Sequence, residues 1–316
     1  MLDVCHKLEA TRMEKCSIAI VIPCYNEEIT VKSVISDARR YVKGANIYVY
    51  DNNSSDTTVK VAEEAGAIVR HEGRQGKGNV IKRAFRELEE DVILIVDGDS
   101  TYDLSIAQSA IDKFIDEKLD YMNIRRVSEA KESYPFGHRF GNKALTGAIQ
   151  FIFGRQITDM LSGYKIFSRK FVKSFPISSN GFEIETEVTV HALEMNVALD
   201  EIDAPYGERP EGSESKLSTI KDGFLVGLTI MRLIQLERPF MFYSIIALLF
   251  WIASFITGIP VITEYARTGF VPRLPTAILA GFLGILGAMS FMVALILDLV
   301  KKTRADMKKL AYLAVK

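Results

Sequence analysis

Cysteine, tryptophan and an excess of either charge are scarce in this sequence. The 316 residues include three cysteines and one tryptophan, and 39 basic residues nearly balance 40 acidic ones. Cys5, Cys16 and Cys24 form no Cys-x-x-Cys pair, which argues against a disulfide framework or a zinc knuckle and is typical of a reducing compartment. A net charge of −1 provides no basic field that would attract nucleic acid. We therefore expect no nucleic-acid partner.

The amino-terminal residues also lack the apolar segment of a secretory signal, which predicts that this part of the chain stays in the cytoplasm. Long uncharged runs lie near the carboxyl terminus instead, at 240–263 and 274–297. Each is long enough to cross a hydrocarbon core, which needs about 20 helical residues. Buried core helices of this length would normally show a polar face. The two runs predict a transmembrane hairpin over residues 239–299.

Basic residues flank this predicted hairpin unevenly. Arg238 precedes the first run, several lysines and arginines follow the second, and Arg267 and Arg273 lie between the runs. The positive-inside rule therefore places both ends in the cytoplasm, with a basic tail at 300–316. Residues 219–238 mix apolar and charged side chains, which predicts an interfacial amphipathic helix; a helix packed on the soluble domain is the alternative.

Short β-branched runs alternate with helical segments from Ser17 onward. Strands are predicted at 17–24, 46–51, 67–71 and 91–97, with helices at 27–42, 57–65 and 80–89 between them. This alternation is typical of parallel β-α-β units, in which ligands bind beyond the carboxyl ends of the strands. After an amino-terminal segment 1–16, residues 17–218 are predicted to form an α/β domain with a mostly parallel sheet flanked by helices.

Acidic residues follow the ends of two predicted strands. Asp97 and Asp99 come directly after the fourth strand, and Asp51 ends the second. Carboxylate oxygens suit Mg²⁺ or Mn²⁺, and Gly98 would let the backbone approach a ligand. An ordinary Asp-Gly turn is the alternative. Asp51 either accepts hydrogen bonds from a nucleoside or simply ends its strand.

Two loops add further candidates. In "PCYNEE" after the first strand, Tyr25 offers a ring that can stack on a base, and Glu27 is either a site residue or a helix cap. The loop "GRQGKGN" (73–79) resembles a phosphate-binding loop. It lacks Ser or Thr after Lys77 and follows the third strand, so it is neither a Walker A motif nor the dinucleotide fingerprint. Lys77 is either a diphosphate ligand or a solvated lysine.

Together these segments resemble family 2 glycosyltransferases of the GT-A fold. "VIPCYNEE", "VYDNNSSDTT", "GRQGKGN" and "IVDGDS" occur in the order and spacing of that family. Downstream, "NIRRV", "YPFGHRFGN", "TDMLSGYKIFSR", "GFEIETE" and "RPEGSESKL" resemble polyprenyl-phosphate glycosyltransferases of the dolichol-phosphate mannose synthase group. The resemblance implies an inverting, metal-dependent enzyme that moves a hexose-type sugar from a UDP- or GDP-sugar to undecaprenyl or dolichyl phosphate. It also implies that the enzyme works at the cytoplasmic face of the cell membrane or, in a eukaryote, of the endoplasmic reticulum membrane.

The resemblance assigns site residues position by position. It places the nucleotide sugar at Pro23, Tyr25, Glu27, Asp51, Lys77, Asp97, Gly98, Arg209 and Lys216. It places the acceptor phosphate at Arg125, Arg126, Arg139 and Ser215, with either of the two adjacent arginines as the main contact. It places Mg²⁺ or Mn²⁺ at Asp97, Asp99 and Thr101, although relatives often have Gln at the last position. The catalytic set is Asp97, Asp99 and Asp159, the last expected to position Arg139 or the acceptor.

Two other functions stay open at this point. One is a glycosyltransferase of polysaccharide synthesis with a hydroxyl acceptor, although its Gln-x-x-Arg-Trp signature is matched only by "QLERP" (235–239). The other is a non-catalytic membrane adaptor, which would need neither Asp97 nor Asp99. Glu183 and Glu185 either organise the site or are exposed helix charges. The sugar, the polyprenol and a homo-oligomer through the transmembrane helices are likewise left open.

Overall fold

The structure is a computed structural model that describes residues 16–127, 146–154, 157–177, 179–181, 183–207 and 230–315. The chain divides into two compact units. The first consists of Met1–Gly223 with Lys308–Lys316, and the second is Phe224–Met307. The boundaries expected after residues 16, 218, 238 and 299 stay predictions.

A mostly parallel sheet forms the centre of the first unit. Its described strands are β1 (Ile18–Cys24), β2 (Asn46–Asp51), β3 (Ile68–His71), β4 (Val92–Ile95), β5 (Tyr121–Val127), β6 (Lys165–Ser168) and β7 (Leu199–Pro205). They follow the order β3-β2-β1-β4-β6-β5-β7. β1 to β4 are parallel, as the strand and helix alternation predicted. β6 runs antiparallel to β4 and β5, whereas β7 is parallel to β5.

Helices flank this sheet. They are α1 (Val31–Tyr41), α2 (Thr58–Glu64), α3 (Lys77–Glu87), α4 (Ala107–Asp116), α5 (Arg169–Ser174) and α6 (Ile184–Met195). A 3-10 turn covers Leu104–Ile106, and residues 146–153 are helical. The buried side chains of α1 recur at the helical spacing that forms one apolar face, at Val31, Val34, Ile35 and Ala38. The central strands β1 and β4 carry uninterrupted buried apolar runs, which is typical of strands covered on both faces.

Two helices begin at other residues than the sequence predicted. α1 begins at Val31 rather than at Glu27, because the amides of Thr30 and Val31 both donate to the Glu27 carbonyl and form a separate turn. α3 begins at Lys77 rather than at Val80. The glycine-rich loop therefore runs directly into a helix, and Lys77 lies in the first turn of that helix.

The carboxyl-terminal residues of the first unit pack on its surface. Lys308 Nζ pairs with Glu194 Oε2 at 2.6 Å, and the Tyr312 hydroxyl donates to Asp120 Oδ2 at 2.6 Å. The Lys170 ammonium lies 4.2 Å from the centre of the Tyr312 ring, within cation–π range. Lys308–Lys316 are thus part of this unit.

The second unit contains two long apolar helices, α7 (Pro239–Thr268) and the part of α8 (Leu274–Ala314) that ends at Met307. Both are long and apolar enough to cross a membrane. The two helices approach closely where the Ser254 hydroxyl donates to the Ala280 carbonyl at 2.8 Å and where Gly287 lies against the Trp251 ring. Of the predicted interfacial helix at 219–238, residues 230–237 are helical and 219–229 lie outside the described residues.

Candidate active site

The carboxyl ends of the parallel strands bring three predicted segments to one edge of the sheet. In the strand register Cys24 of β1 pairs with Asp51 of β2, which pairs in turn with His71 of β3. β4 lies on the other side of β1 and runs in the same direction. The turn that begins at Asp97 therefore follows the same edge, where ligands of open α/β sheets bind.

The turn after β4 is fixed by hydrogen bonds. Asp99 is only 4% exposed, and its Oδ1 accepts from the Thr101 amide at 3.2 Å and from the Thr101 hydroxyl at 2.6 Å. The Gly98 carbonyl accepts from the Thr30 hydroxyl at 2.7 Å. A Cβ on Gly98 would lie 2.8 Å from Cys24 Sγ, so a glycine here lets the turn pack on the end of β1.

The chemistry of this turn fits a small divalent cation. Asp97 and Asp99 offer carboxylate oxygens, and no cluster of three or more His, Cys, Asp or Glu side chains forms among the described residues. Mg²⁺ and Mn²⁺ commonly take one or two carboxylates and complete their coordination with water and substrate phosphates. Thr101 donates its hydroxyl hydrogen to Asp99, and its role as a third ligand stays a prediction.

Asp51 lies almost completely buried at the end of β2. Its Oδ1 accepts from the Ser54 amide at 3.2 Å, and its Oδ2 lies 2.8 Å from His71 Nδ1. The His71 side chain is exposed. The sequence analysis did not single out His71, although its place at the end of the third parallel strand was a usable signal.

The loop after β1 is tied to the loop after β2. Asn26 has a positive φ of 54°; its amide donates to Ser54 Oγ at 2.9 Å, and its Oδ1 accepts from the Ser55 amide at 2.8 Å. The Glu27 amide donates to Thr58 Oγ1 at 2.8 Å. These bonds link the two loops and fix the position of Asn26 and Glu27 relative to the end of β2.

Three predicted contacts of the nucleotide sugar lie in or beside this loop. Pro23, Tyr25 and Glu27 are all half-buried. Glu27 Oε2 lies 3.1 Å from the Thr30 hydroxyl oxygen, in the turn that precedes α1, and the hydrogen of that hydroxyl has the nearer Gly98 carbonyl as its acceptor. Glu27 thus has a local structural role, and its predicted contact with the nucleotide sugar stays a prediction.

The glycines of the loop 73–79 serve a close backbone approach. Gly76 has a φ of 126°, and a Cβ there would overlap the Asn180 carbonyl oxygen. A Cβ on Gly78 would lie 2.5 Å from the Ser179 carbonyl oxygen. Asn52 holds the loop from the other side, because its Oδ1 accepts from the Gly76 amide at 2.6 Å and its Nδ2 donates to the Arg74 carbonyl at 2.8 Å. The glycines are thus needed where this loop packs against residues 179–181, and this requirement was not predicted from the sequence.

Lys77 is buried between two carboxylates. Its Nζ forms ion pairs with Asp97 Oδ1 and with Glu185 Oε1, the latter at 2.5 Å, and its side chain is 8% exposed. Burial lowers the pKa of Lys77, but Asp97 and Glu185 outweigh burial and raise that pKa above its ordinary value. The alternative of a solvated loop lysine is therefore wrong. Gly163 packs against the other carboxylate oxygen of Asp97, since a Cβ on Gly163 would overlap Asp97 Oδ2.

The two adjacent arginines of β5 have different partners. Arg126 forms a two-bond ion pair with the buried Asp159, with Nε to Oδ2 at 2.7 Å and Nη2 to Oδ1 at 2.8 Å. Burial raises the pKa of Asp159, but the hydrogen bonds and the charge of Arg126 lower that pKa by more. The pKa of Asp159 therefore lies below its ordinary value. Arg125 pairs with Asp203 at the surface, with Nε to Oδ1 at 2.6 Å. Asp159 was expected to position Arg139 or the acceptor; in the structure it holds Arg126.

A buried polar network lies next to the Arg126–Asp159 ion pair. Lys165 Nζ donates to Asn123 Oδ1 at 2.6 Å, and Asn123 Nδ2 donates to Glu201 Oε1 at 2.7 Å and to the Asp159 carbonyl at 2.9 Å. Burial lowers the pKa of Lys165 to about 8. Lys165, Asn123 and Glu201 were not predicted from the sequence, because their contacts join segments far apart in the chain.

Four predicted contacts cannot be placed. Arg139, Arg209, Ser215 and Lys216 lie outside the described residues. Their assignments stay predictions.

Comparisons with known proteins match this geometry to a family. The profile of glycosyl transferase family 2 matches residues 19–175. Glycosyltransferase AglJ of Haloferax volcanii is 30% identical over 299 residues, covering 93% of this chain and 96% of that protein. The chain belongs to glycosyltransferase family 2. A second relative of this family 2 glycosyltransferase, the dolichyl-phosphate hexose transferase of the same organism, is 28% identical over 221 residues, covering 70% of this chain and 95% of that protein.

A solved structure supports the fold of this family 2 glycosyltransferase. Glucosyl-3-phosphoglycerate synthase from Mycobacterium tuberculosis, in complex with Mn²⁺ and UDP-glucose, superposes with a TM-score of 0.58 and 21% identity. The match covers 73% of this chain and 82% of that chain. The predicted GT-A fold is confirmed, and two apolar helices follow it.

Proposed function

We propose that this enzyme transfers a hexose-type sugar from a nucleotide diphosphate sugar to a polyprenyl phosphate, with inversion at the anomeric carbon. The observation that carries the proposal is the combination of acidic strand ends at one edge of the sheet with two apolar helices after the catalytic domain. A relative named as a dolichyl-phosphate hexose transferase supports the same acceptor class. A lipid phosphate lies at the bilayer surface, where an enzyme anchored by such helices would meet it.

The donor half of the site is built from the first four strands. Asp51 would accept hydrogen bonds from the base or ribose, and the strand register, which pairs Cys24 with Asp51, brings the neighbouring Pro23 and Tyr25 to the same edge. Lys77, which lies in the first turn of α3, would meet the diphosphate. When bound at Asp97 and Asp99, Mg²⁺ or Mn²⁺ supplies positive charge that stabilises the departing diphosphate.

The acceptor half is assigned to β5 and to residues beyond the described ranges. A phosphomonoester carries roughly −1.5 to −2 charges near pH 7 and is itself the nucleophile. One of its oxygens forms the bond to the anomeric carbon, and the bond from that carbon to the diphosphate oxygen breaks. Arg126 is oriented by Asp159 to hold this phosphate, and Arg125, Arg139 and Ser215 are proposed further contacts.

The partner of Asp159 disfavours the rival with a hydroxyl acceptor. A hydroxyl nucleophile needs a general base, whose pKa works best near the operating pH. The Asp159 carboxylate is instead bound by Arg126 through two hydrogen bonds, and its pKa is lowered. These contacts support a positioning role for Asp159 and an acceptor that is already charged.

Transfer to lipid is the direct test. Purified full-length protein is incubated with undecaprenyl or dolichyl phosphate and with a panel of radiolabelled UDP- and GDP-sugars, and the lipids are then extracted. We expect label from one donor in the lipid phase, in a form released by mild acid. Label in a water-soluble glycan would favour the hydroxyl-acceptor rival, and no transfer from any donor would favour the adaptor.

We also propose that the catalytic domain lies on the cytoplasmic side of the membrane. The apolar helices α7 and α8 would form a hairpin with both ends in the cytoplasm. The basic residues concentrated after residue 300 support this orientation. It would place the active site where nucleotide sugars are made.

A further inference from the structure

Lys77 occupies a position between two carboxylates that come from different elements. Asp97 follows β4, whereas Glu185 lies in the first turn of α6. The Lys77 ammonium contacts both, and the exposed fractions of the Glu185 and Asp97 side chains are 11% and 29%. The contacts are therefore set by the tertiary fold rather than by the sequence around the lysine.

This arrangement affects any second cation at Asp97. Asp97 Oδ1 accepts from Lys77, and Asp97 Oδ2 lies against Gly163. A divalent ion at the same carboxylate would stand within a few ångströms of the ammonium, where repulsion in a partly buried site is large. Both cations can remain if the lysine moves away from Asp97 and keeps its contact with Glu185, its other carboxylate partner.

We propose that Lys77 is the resident counter-ion of Asp97, that a divalent cation displaces it from Asp97, and that Glu185 then holds the displaced ammonium beside the donor diphosphate. Glu185 is thus a positioning residue that acts through Lys77. This inference rests on the proposed function for the assignment of the cation to Asp97 and Asp99. Of the two glutamates that the sequence left open, Glu185 is buried at the site whereas Glu183 is exposed.

Binding of Mn²⁺ alone tests the proposal without turnover. Free Mn²⁺ is measured by electron paramagnetic resonance during titration of the purified full-length protein, with neither donor nor acceptor present. Lys77→Met should bind Mn²⁺ about tenfold more tightly than wild type, because the competing ammonium is gone. Glu185→Gln should bind about tenfold more weakly, because Lys77 then keeps Asp97 as its remaining carboxylate partner.

The double variant Lys77→Met/Glu185→Gln separates action through the lysine from a general loss of charge. Glu185→Gln should weaken Mn²⁺ binding much less in the Lys77→Met background than in wild type. Lys82→Met on α3 and Glu183→Gln before α6 remove the same charges near the same helices and should change binding by less than about twofold. Unfolding temperatures of all variants verify that the domain is folded.

The outcomes are distinct. An unchanged Mn²⁺ dissociation constant for Lys77→Met would overturn the competition. An equal effect of Glu185→Gln in both backgrounds would overturn its action through Lys77. Asp99→Asn identifies the other kind of failure, because Mn²⁺ binding that survives this change would contradict the metal assignment in the proposed function itself.

Discussion

Replacing Arg126 by alanine should lower both stability and acceptor use, whereas the same change at Arg125 should leave stability nearly unchanged. Arg126→Ala leaves Asp159, which is 5% exposed, without its two guanidinium bonds. Breaking a buried pair from one side costs about 3–5 kcal/mol. The amide of residue 126 still donates to Asp159 Oδ2, so we expect the lower end, about 3 kcal/mol.

In a domain of this size, such a loss corresponds to a fall in unfolding temperature of about 6–12 °C. The Arg125–Asp203 pair is exposed, with 40% and 54% of the two side chains accessible, and its loss should cost about 0–1 kcal/mol. Thermal unfolding of the detergent-purified variants measures this difference. A fall for Arg125→Ala as large as that for Arg126→Ala would refute the reasoning from burial.

A double variant separates the structural role of Arg126 from its acceptor role. Arg126→Ala/Asp159→Ala removes both buried charges, so most of the lost stability should return. The lost arginine–phosphate contact should still raise the KM for polyprenyl phosphate about ten- to a hundredfold. The KM for the nucleotide sugar should change little. An equal rise in the KM for the nucleotide sugar would place Arg126 at the diphosphate, and the division into donor and acceptor halves would be wrong.

Three further predictions concern the metal, the membrane and pH. Asp99→Asn should abolish transfer while the unfolding temperature stays within a few degrees of wild type. Turnover of this variant at the wild-type rate in chelator-treated membranes would contradict the metal assignment. A cysteine at Thr268, in a variant without native cysteines, should react with an impermeant reagent from outside, whereas one at Lys316 should not; the reverse pattern would invert the topology. Burial beside Phe171 and Phe175 lowers the pKa of His191 to about 3, whereas the same group has a pKa of about 6.5 in the unfolded chain. The stability that the neutral, buried His191 contributes is therefore complete above pH 6.5 and is lost as the pH falls toward 3. At pH 5 wild type should lose about 2 kcal/mol through this residue, and His191→Leu should show a smaller loss in thermal unfolding at pH 7 and pH 5; an equal loss would exclude His191 as the cause.

The parallel half of the sheet was predictable because its signals are local. The runs at β1, β2 and β4 are short, apolar and separated by helical segments, so their direction followed from connection rules. The antiparallel β6 was not predicted, since its neighbours β4 and β5 are fixed by contacts across long stretches of chain. The early start of α3 was also missed, because the glycines before it were interpreted as a ligand loop.

The location of the candidate residues was predictable at strand ends and not elsewhere. Asp51, Asp97 and Asp99 could be placed because the carboxyl ends of parallel strands meet at one edge. The partners that tune these residues could not be placed, because they come from other segments. Lys77 pairs with Glu185 of α6 as well as with Asp97, and Arg126 of β5 pairs with Asp159 from the segment before β6.

These pairs give the site a common electrostatic character. The lysine and the arginine that we assign to phosphate groups are each already bound by a carboxylate, which avoids the large cost of a buried unpaired charge. A ligand must therefore replace or join a carboxylate of one negative charge. A phosphomonoester, with about −1.5 to −2 charges, gains from this exchange, whereas a phosphodiester lipid head group with one charge gains little. If the acceptor is a polyprenyl phosphate, as we propose, the internal carboxylates would favour it over phospholipids whose phosphodiester carries one charge.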